Sequence, residues 1–373
     1  MIREGKIGFA ELFALLFISN IGRIFLTLPA TAINEGRTLV WAMIIVGTIG
    51  SALGFWIVAS LMRRHSNQTI VEVSESLLGP YLGTLVNLLI FFYFVAVMSL
   101  LSRGFAEAIL VTTLPRTPIS AVLLFLFGGA MLSCHYGLET MARVARTSLT
   151  FILAGLVILF LAVVETMEIS FLFPLYSREP SYIFFQGLTE YSLVSEGLLA
   201  AVIILSVSGG WQKFRNATML AIIFGGMLLL ITCMAILLVF GVPSSNELLI
   251  PFFNLSRLIE LGRYFQRIEA IFLLSWVMVG FVKLAVTLYA ATIVAARIFK
   301  APDYRPLLWI VTMLCAVVSI LPPDLPTNLY LETQFLRRYP GLAVTVGLPL
   351  LLLAVSRIRK TGELEGDDAR AKE

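Results

Sequence analysis

The sequence predicts an all-α polytopic membrane protein of ten transmembrane helices, and three observations predict it. Of the 373 residues, 59% are hydrophobic and only 13% charged, with a mean hydropathy of +0.93; a soluble globular chain is about 45–50% apolar and roughly 25% charged. Apolar blocks recur along the whole chain, separated by charged or Pro/Gly-rich clusters. No HExxH, GxSxG or Walker A run occurs, so the nucleophile, base and metal sets that mark enzymes are missing and no cofactor is expected. At about 20 residues per crossing, a chain this long has room for about ten to twelve spans and no sizeable soluble domain.

The blocks lie at 9–33, 39–62, 81–102, 118–134 and 148–164, then at 186–208, 218–240, 268–296, 306–322 and 341–358. Each must be helical, because in hydrocarbon every backbone N–H and C=O needs a partner from its own segment. The first opens after a charged start and has no small-residue cleavage site before Pro29, so it reads as a retained span rather than a signal peptide. Ser19-Asn20-Ile21-Gly22-Arg23 interrupts it, with Pro29 six residues later. Gly and Asn tolerate non-helical backbone and Pro removes a hydrogen bond. An unwound segment is therefore expected, with a kinked but continuous helix as the alternative.

Arg103 and Glu107 lie four apart near the outer end of the third span, the spacing of an i,i+4 pair acting as a structural clamp. Gly137 to Arg146 reads as a short cytoplasmic helix leading into the fifth span. The sixth holds Tyr191-Ser192-Leu193-Val194-Ser195-Glu196-Gly197, where Glu196 is too deep for its side chain to reach headgroups and must find a partner or bind a proton. Ser206 to Gly210 reads as the cytoplasmic end of that span. Apolar residues at 255, 258, 259 and 261 suit an amphipathic helix on the outer surface over 253–262, a lid or partner site. Arg267 and Glu269 open the eighth span, and Lys283, sixteen residues after Arg267 and fourteen before Arg297, falls near its centre. The tail 361–373 is short and polar, and is expected to be disordered.

Fourteen Lys and Arg fall on the side of the two termini and nine on the other, which predicts cytoplasmic termini. The net charge of +4 is spread between apolar blocks rather than gathered on one face, so no nucleic-acid partner is expected. Cys134, Cys233 and Cys315 sit in apolar stretches without CxxC or Cys/His spacing, so no disulfide framework and no metal site are expected. The only histidines, His65 and His135, lie at cytoplasmic span ends. The deep groups Arg23, Glu196 and Lys283 sum to +1 if all are ionised, an excess that a ligand carboxylate would balance. Two alternatives stand: Lys283 is neutral, or it pairs permanently with Glu196. Within one transmembrane domain, the halves 9–164 and 186–358 each hold five spans. An odd number of crossings turns the second half upside down and permits an inverted repeat.

Several short runs in order carry a resemblance. They are Leu26-Thr27-Leu28-Pro29, Arg103 with Glu107, Arg116-Thr117-Pro118-Ile119, and Gly137-Leu138-Glu139 with Arg143. Ser195-Glu196, Arg267-Ile268-Glu269 with Trp276, and Leu321-Pro322-Pro323-Asp324 follow. With these the chain, from about Ile7 to Lys360, resembles the spore germination permease family, the B-type membrane subunit of nutrient germinant receptors. The resemblance implies a branch of the amino acid/polyamine/organocation transporter superfamily: a leucine-transporter-like fold of five-plus-five inverted repeats with discontinuous helices 1 and 6. It implies a small-molecule germinant such as an amino acid, held between Asn20, Ile21, Gly22 and Arg23 on one wall and Ser195, Glu196 and Gly197 on the other. Lys283 would stand where many relatives hold sodium, as a tethered cation. Arg103, Glu107, Arg267 and Glu269 are left as structural or gating residues. The sequence departs from the family pattern at Arg23 and Ile24, where small residues are expected; Arg23 either meets a ligand carboxylate or fills the pocket. The implied partners are an A-type membrane subunit, a C-type lipoprotein and membrane lipid, at the inner membrane of the spore or the cell membrane. The residues leave two other functions open: a proton- or cation-coupled amino-acid permease with Glu196 as proton carrier, and a water or ion channel subunit lined by Glu107, Glu196 and Lys283.

Overall fold

The computed structural model describes residues 5–65, 67–174, 178–190, 195–258 and 269–359. The first half runs α1 (Phe9–Ile21), α2 (Leu28–Gly36), α3 (Val40–Arg64), α4 (Ile70–Thr112), α5 (Ile119–Tyr136) and α6 (Leu138–Val163). The second runs α7 (Pro180–Glu190), α8 (Ser195–Val202), α9 (Gly210–Glu247), α10 (Pro251–Arg257), α11 (Glu269–Ile298) and α12 (Arg305–Ile320). The last crossing strings together α13 (Leu325–Leu331), a π-helical turn Glu332–Arg337, α14 (Tyr339–Leu342), a second π turn Ala343–Gly347 and α15 (Leu348–Ile358).

Among the described residues, seven stretches are long and apolar enough to cross a membrane: Leu28–Arg64, Ile70–Thr112, Ile119–Tyr136, Leu138–Thr166, Gly210–Ser245, Phe272–Ile298 and Leu325–Ile358. The other expected spans are shorter pieces. α1 and α12 have 13 and 16 residues, and the sixth is described only over α7 and α8, with 191–194 outside the described residues. Length alone therefore does not bring the count to ten.

Glycine and proline set the ends of the long helices. α4 passes through Gly79 at φ 84°, followed by Pro80, and α9 passes through Gly241 at φ 67°, two residues before Pro243. Only glycine takes such a φ without strain, and proline lacks the N–H that would continue the ladder. The piece of α4 before Gly79 folds back on the span: Ser74 Oγ donates to Asn87 Oδ1 at 2.6 Å, and Asn87 Nδ2 donates to the Val71 carbonyl at 3.1 Å.

The core is centred on α11, where every residue from Val282 to Ala296 is buried. It packs against α1, α4, α5, α6 and α12. α5 and α6 turn Leu124, Phe125, Phe151 and Leu161 outward, as suits helices whose outer solvent is hydrocarbon. On the terminal side, Ile7 pairs in parallel with Val207: Ile7 N–H donates to the Ser206 carbonyl and Ser208 N–H to the Ile7 carbonyl, each at 2.8 Å.

Two expectations are corrected, at the start of α6 and at the start of the last crossing. α6 runs unbroken from Leu138, so Gly137 to Arg146 is not a separate helix; Gly137, at φ 90°, supplies the only interruption, just before it. Of the amphipathic segment expected over 253–262, α10 buries Phe253 and Leu255 and leaves Arg257 and Leu258 exposed; residues 259–262 lie outside the described residues. The last crossing starts at Leu325 rather than 341. Asp324 caps it by accepting the Thr327 N–H at 2.9 Å, with proline in the first turn, a standard helix start. Arg337, one of the nine Lys and Arg assigned by sequence to the side opposite the termini, is consequently only 7% exposed.

Candidate functional site

α1 stops at Ile21 and α2 starts at Leu28. Between them the backbone makes only turn bonds, Ile24 N–H to the Ile21 carbonyl at 2.9 Å and Leu26 N–H to the Arg23 carbonyl at 3.1 Å. Residues 22 to 27 are all buried. Irregular backbone at this depth persists only where protein or a polar site surrounds it, so the first crossing is broken as its Gly and Asn suggest. α8, which packs against α1, α3, α9 and α11, carries Glu196 and Gly197 in its first turn. Ser195 opens α8, but its side chain lies outside what the structure describes, as does that of Glu269 at the start of α11. Arg267 lies outside the described residues.

Lys283 joins these elements. Its Nζ donates to Glu196 Oε1 at 2.5 Å and to Ser19 Oγ at 3.1 Å, with both charged side chains 3% exposed. α1 comes close enough that a Cβ at Gly22 would stand 3.2 Å from Lys283 Cγ, so glycine is what admits the lysine stem. Of the two alternatives above, pairing of Lys283 with Glu196 is the geometry seen. Asn20 Nδ2 donates to the Ala221 carbonyl on α9 at 3.2 Å, and Ile21 is fully buried. Gly197 faces Phe55, where a Cβ would approach Cδ2 to 3.0 Å.

Arg23 has a different partner. Its Nε lies 3.8 Å from Glu332 Oε1, and the same oxygen accepts a 2.8 Å hydrogen bond from Arg337 Nη2. A π turn closes i to i+5; Arg338 N–H reaches the Thr333 carbonyl at 3.0 Å, and the wide winding sets residues 332 and 337 side by side. Glu332 and Arg337 add one buried charge of each sign, so with Arg23, Lys283 and Glu196 the five charges still sum to +1, the excess that the sequence predicts.

Arg103 is 6% exposed. Its Nε and Nη2 donate to Glu107 Oε1 at 3.0 and 2.7 Å, and Nη2 also reaches the Pro323 carbonyl at 3.2 Å. It clamps α4 to the turn that starts the last crossing. An aromatic wall adjoins the break. Phe25 lies 5.3 Å from Phe252 and 5.5 Å from Phe272, ring centre to ring centre, and Trp276 stacks between Phe272 and Phe105. Of this wall the sequence reading names only Trp276, and it does not name Glu332; Phe25, between Arg23 and Pro29, is the available signal. Among the described residues no three His, Cys, Asp or Glu side chains cluster as metal ligands. The arrangement offers cations, carboxylates and an apolar wall, which suits reversible binding rather than bond-making chemistry.

A first crossing broken inside the protein and packed against buried charges is the arrangement of a class, the integral membrane proteins of the leucine-transporter fold. The solved structure of MhsT in complex with L-phenylalanine is similar over 95% of this chain and 90% of that one, with a TM-score of 0.71 at 12% identity. The chain belongs to the spore germination protein family, whose model matches residues 6–327. In Bacillus subtilis (strain 168), spore germination protein YndE is 23% identical over 345 residues, 91% of this chain and 93% of that protein. Spore germination protein KB of the same organism is 21% identical over 375 residues, 99% and 100% of the two chains. The family is one of germination permeases, and the chain is a membrane protein of that kind, not an enzyme.

Proposed function

We propose that this chain is the B-type subunit of a nutrient germinant receptor, a transporter-fold sensor that binds a small nutrient such as an amino acid and triggers spore germination with partner subunits. The ligand would lie between the interrupted segment at Asn20, Ile21, Gly22 and Arg23 and the start of α8 at Ser195, Glu196 and Gly197, with Lys283 as the cation that ties them. The observation that carries this reading is the buried, non-helical stretch 22–27 set against the Glu196–Lys283 pair. The bound L-phenylalanine in the similar MhsT structure and the germination proteins among the relatives support it. The repeats would be 9–164 and 186–358, with both termini cytoplasmic in the inner spore membrane or the cell membrane. An A-type membrane subunit and a C-type lipoprotein would receive the signal when one helix bundle rocks against the other.

The test is the purified chain in proteoliposomes with labelled amino acids. Saturable binding without uptake is expected, weakened in both Arg23→Ala and Glu196→Gln. Uptake by the chain alone would make it a permease, ion leak would make it a channel subunit, and affinity untouched by both substitutions would remove the site from this place.

A further inference from the structure

Arg23 is 8% exposed, and its Nε, sealed from solvent, makes no hydrogen bond. The nearest acid, Glu332, stands at 3.8 Å, beyond hydrogen-bond length, whereas a well-seated guanidinium holds a carboxylate at about 2.7–2.9 Å. Glu332 is committed elsewhere: the oxygen that faces Arg23 is the one bonded to Arg337 at 2.8 Å. The π turn builds that commitment in, since it brings residues five apart together. Glu332 thus keeps a full charge-assisted bond whether or not Arg23 stays beside it, so separating the two is cheap. Arg23 itself lies in the interrupted segment, next to the glycine that packs on Lys283.

We propose that Arg23 is a carboxylate-receiving group and that Glu332 is its internal competitor: a ligand carboxylate takes the place of Glu332 at Arg23, and Glu332 passes wholly to Arg337. This rests on the reading of the break as a ligand site. Glu332 and Arg337 would then set affinity without touching the ligand, because a competitor that occupies the receiving group lowers apparent affinity by the fraction of time it is there. The exchange would also report binding to the last crossing, whose first π turn carries both residues.

The experiment is thermal melting of the full chain in detergent, titrated with sodium acetate against sodium chloride at equal ionic strength. Glu332→Gln is expected to bind acetate on the order of tenfold more tightly than the wild type. Arg337→Gln is expected to bind it several-fold more weakly, since Glu332 then turns fully onto Arg23, and Arg23→Gln is expected to lose the acetate response. A purely structural role would lower the melting temperature of all three without these opposite changes. If Glu332→Gln does not fold, the double variant E332Q/R337M removes one charge of each sign and must also bind acetate more tightly than the wild type. An acetate response in the Glu332 variants no stronger than the wild type's, or one that survives Arg23→Gln, overturns the proposal. Absence of nutrient binding with the opposite acetate responses intact would overturn the receptor reading instead.

Discussion

The Lys283–Glu196 pair and the Arg23–Glu332–Arg337 cluster are built from the same kinds of group in the same buried region, yet they are seated differently. Lys283 has two acceptors within hydrogen-bond distance, on α8 and on α1. Arg23 has a carboxylate at 3.8 Å that already serves another arginine. Removing one member of a buried, well-bonded pair strands a charge, whereas loosening a poorly bonded one costs little. The first group is a strut between three helices, and the second is a contact that can be exchanged.

Substitution at the strut gives the largest expected effect. Lys283→Met should destabilise the protein by about 3–5 kcal/mol, since Glu196 would remain buried without a counter-charge. The double variant Lys283→Met/Glu196→Gln should recover most of the loss in thermal melting. No recovery would mean that the lysine stem, packed on Gly22, matters more than its charge. At the clamp, Arg103→Gln loses the bonds to Glu107 and Pro323 and should cost about 1–3 kcal/mol. Asn20→Ala, which gives up one bond to Ala221, should cost about 1 kcal/mol. Arg23→Gln should cost less than either, because no hydrogen bond is lost. If it proves as damaging as Lys283→Met, the contrast between the two groups is void.

The smallest effect is a pH dependence at the edge of the fold. His65 ends α3, where its Nε2 lies 3.1 Å from Ser356 Oγ on α15. Burial, with a smaller contribution from neighbouring Arg64, holds its pKa below the ordinary 6.5. As pH falls, the unfolded chain takes up that proton first, so stability present above about 6.5 is lost as pH falls through the lower folded value. Melting in detergent should drop slightly on acidification, and His65→Gln should flatten the drop.

Depth and punctuation were legible in the sequence. The third and seventh spans were bounded at 81 and 240, and the helices turn at Gly79-Pro80 and at Gly241, because residues that break a helix do so wherever it lies. Lys283 and Glu196 stood out because each sits alone in an apolar run. Glu332 did not, and the reason is physical. Proline at 322 and 323, Asp324, Asn328 and Arg337-Arg338 dilute the hydropathy of the start of the last crossing until it reads as a loop. Acids and bases that pair inside a helix remove the contrast on which depth is judged. The π turns were equally hidden, since one extra residue per turn shifts the periodicity by which faces are recognised. Phe25, Phe252 and Phe272 are distant in sequence, and only folding gathers them.

The Ile7–Val207 bridge consists of main-chain atoms, so no side-chain replacement abolishes it directly, and it fastens the lead-in of α1 to the far end of the crossing that holds Glu196. Anything fused ahead of Ile7 would pull on that fastening within a few residues of it. A fluorescent or affinity handle for any assay of this molecule belongs at the opposite end of the chain, and a matched pair of fusions at the two ends would reveal whether the knot must come undone for a signal to pass.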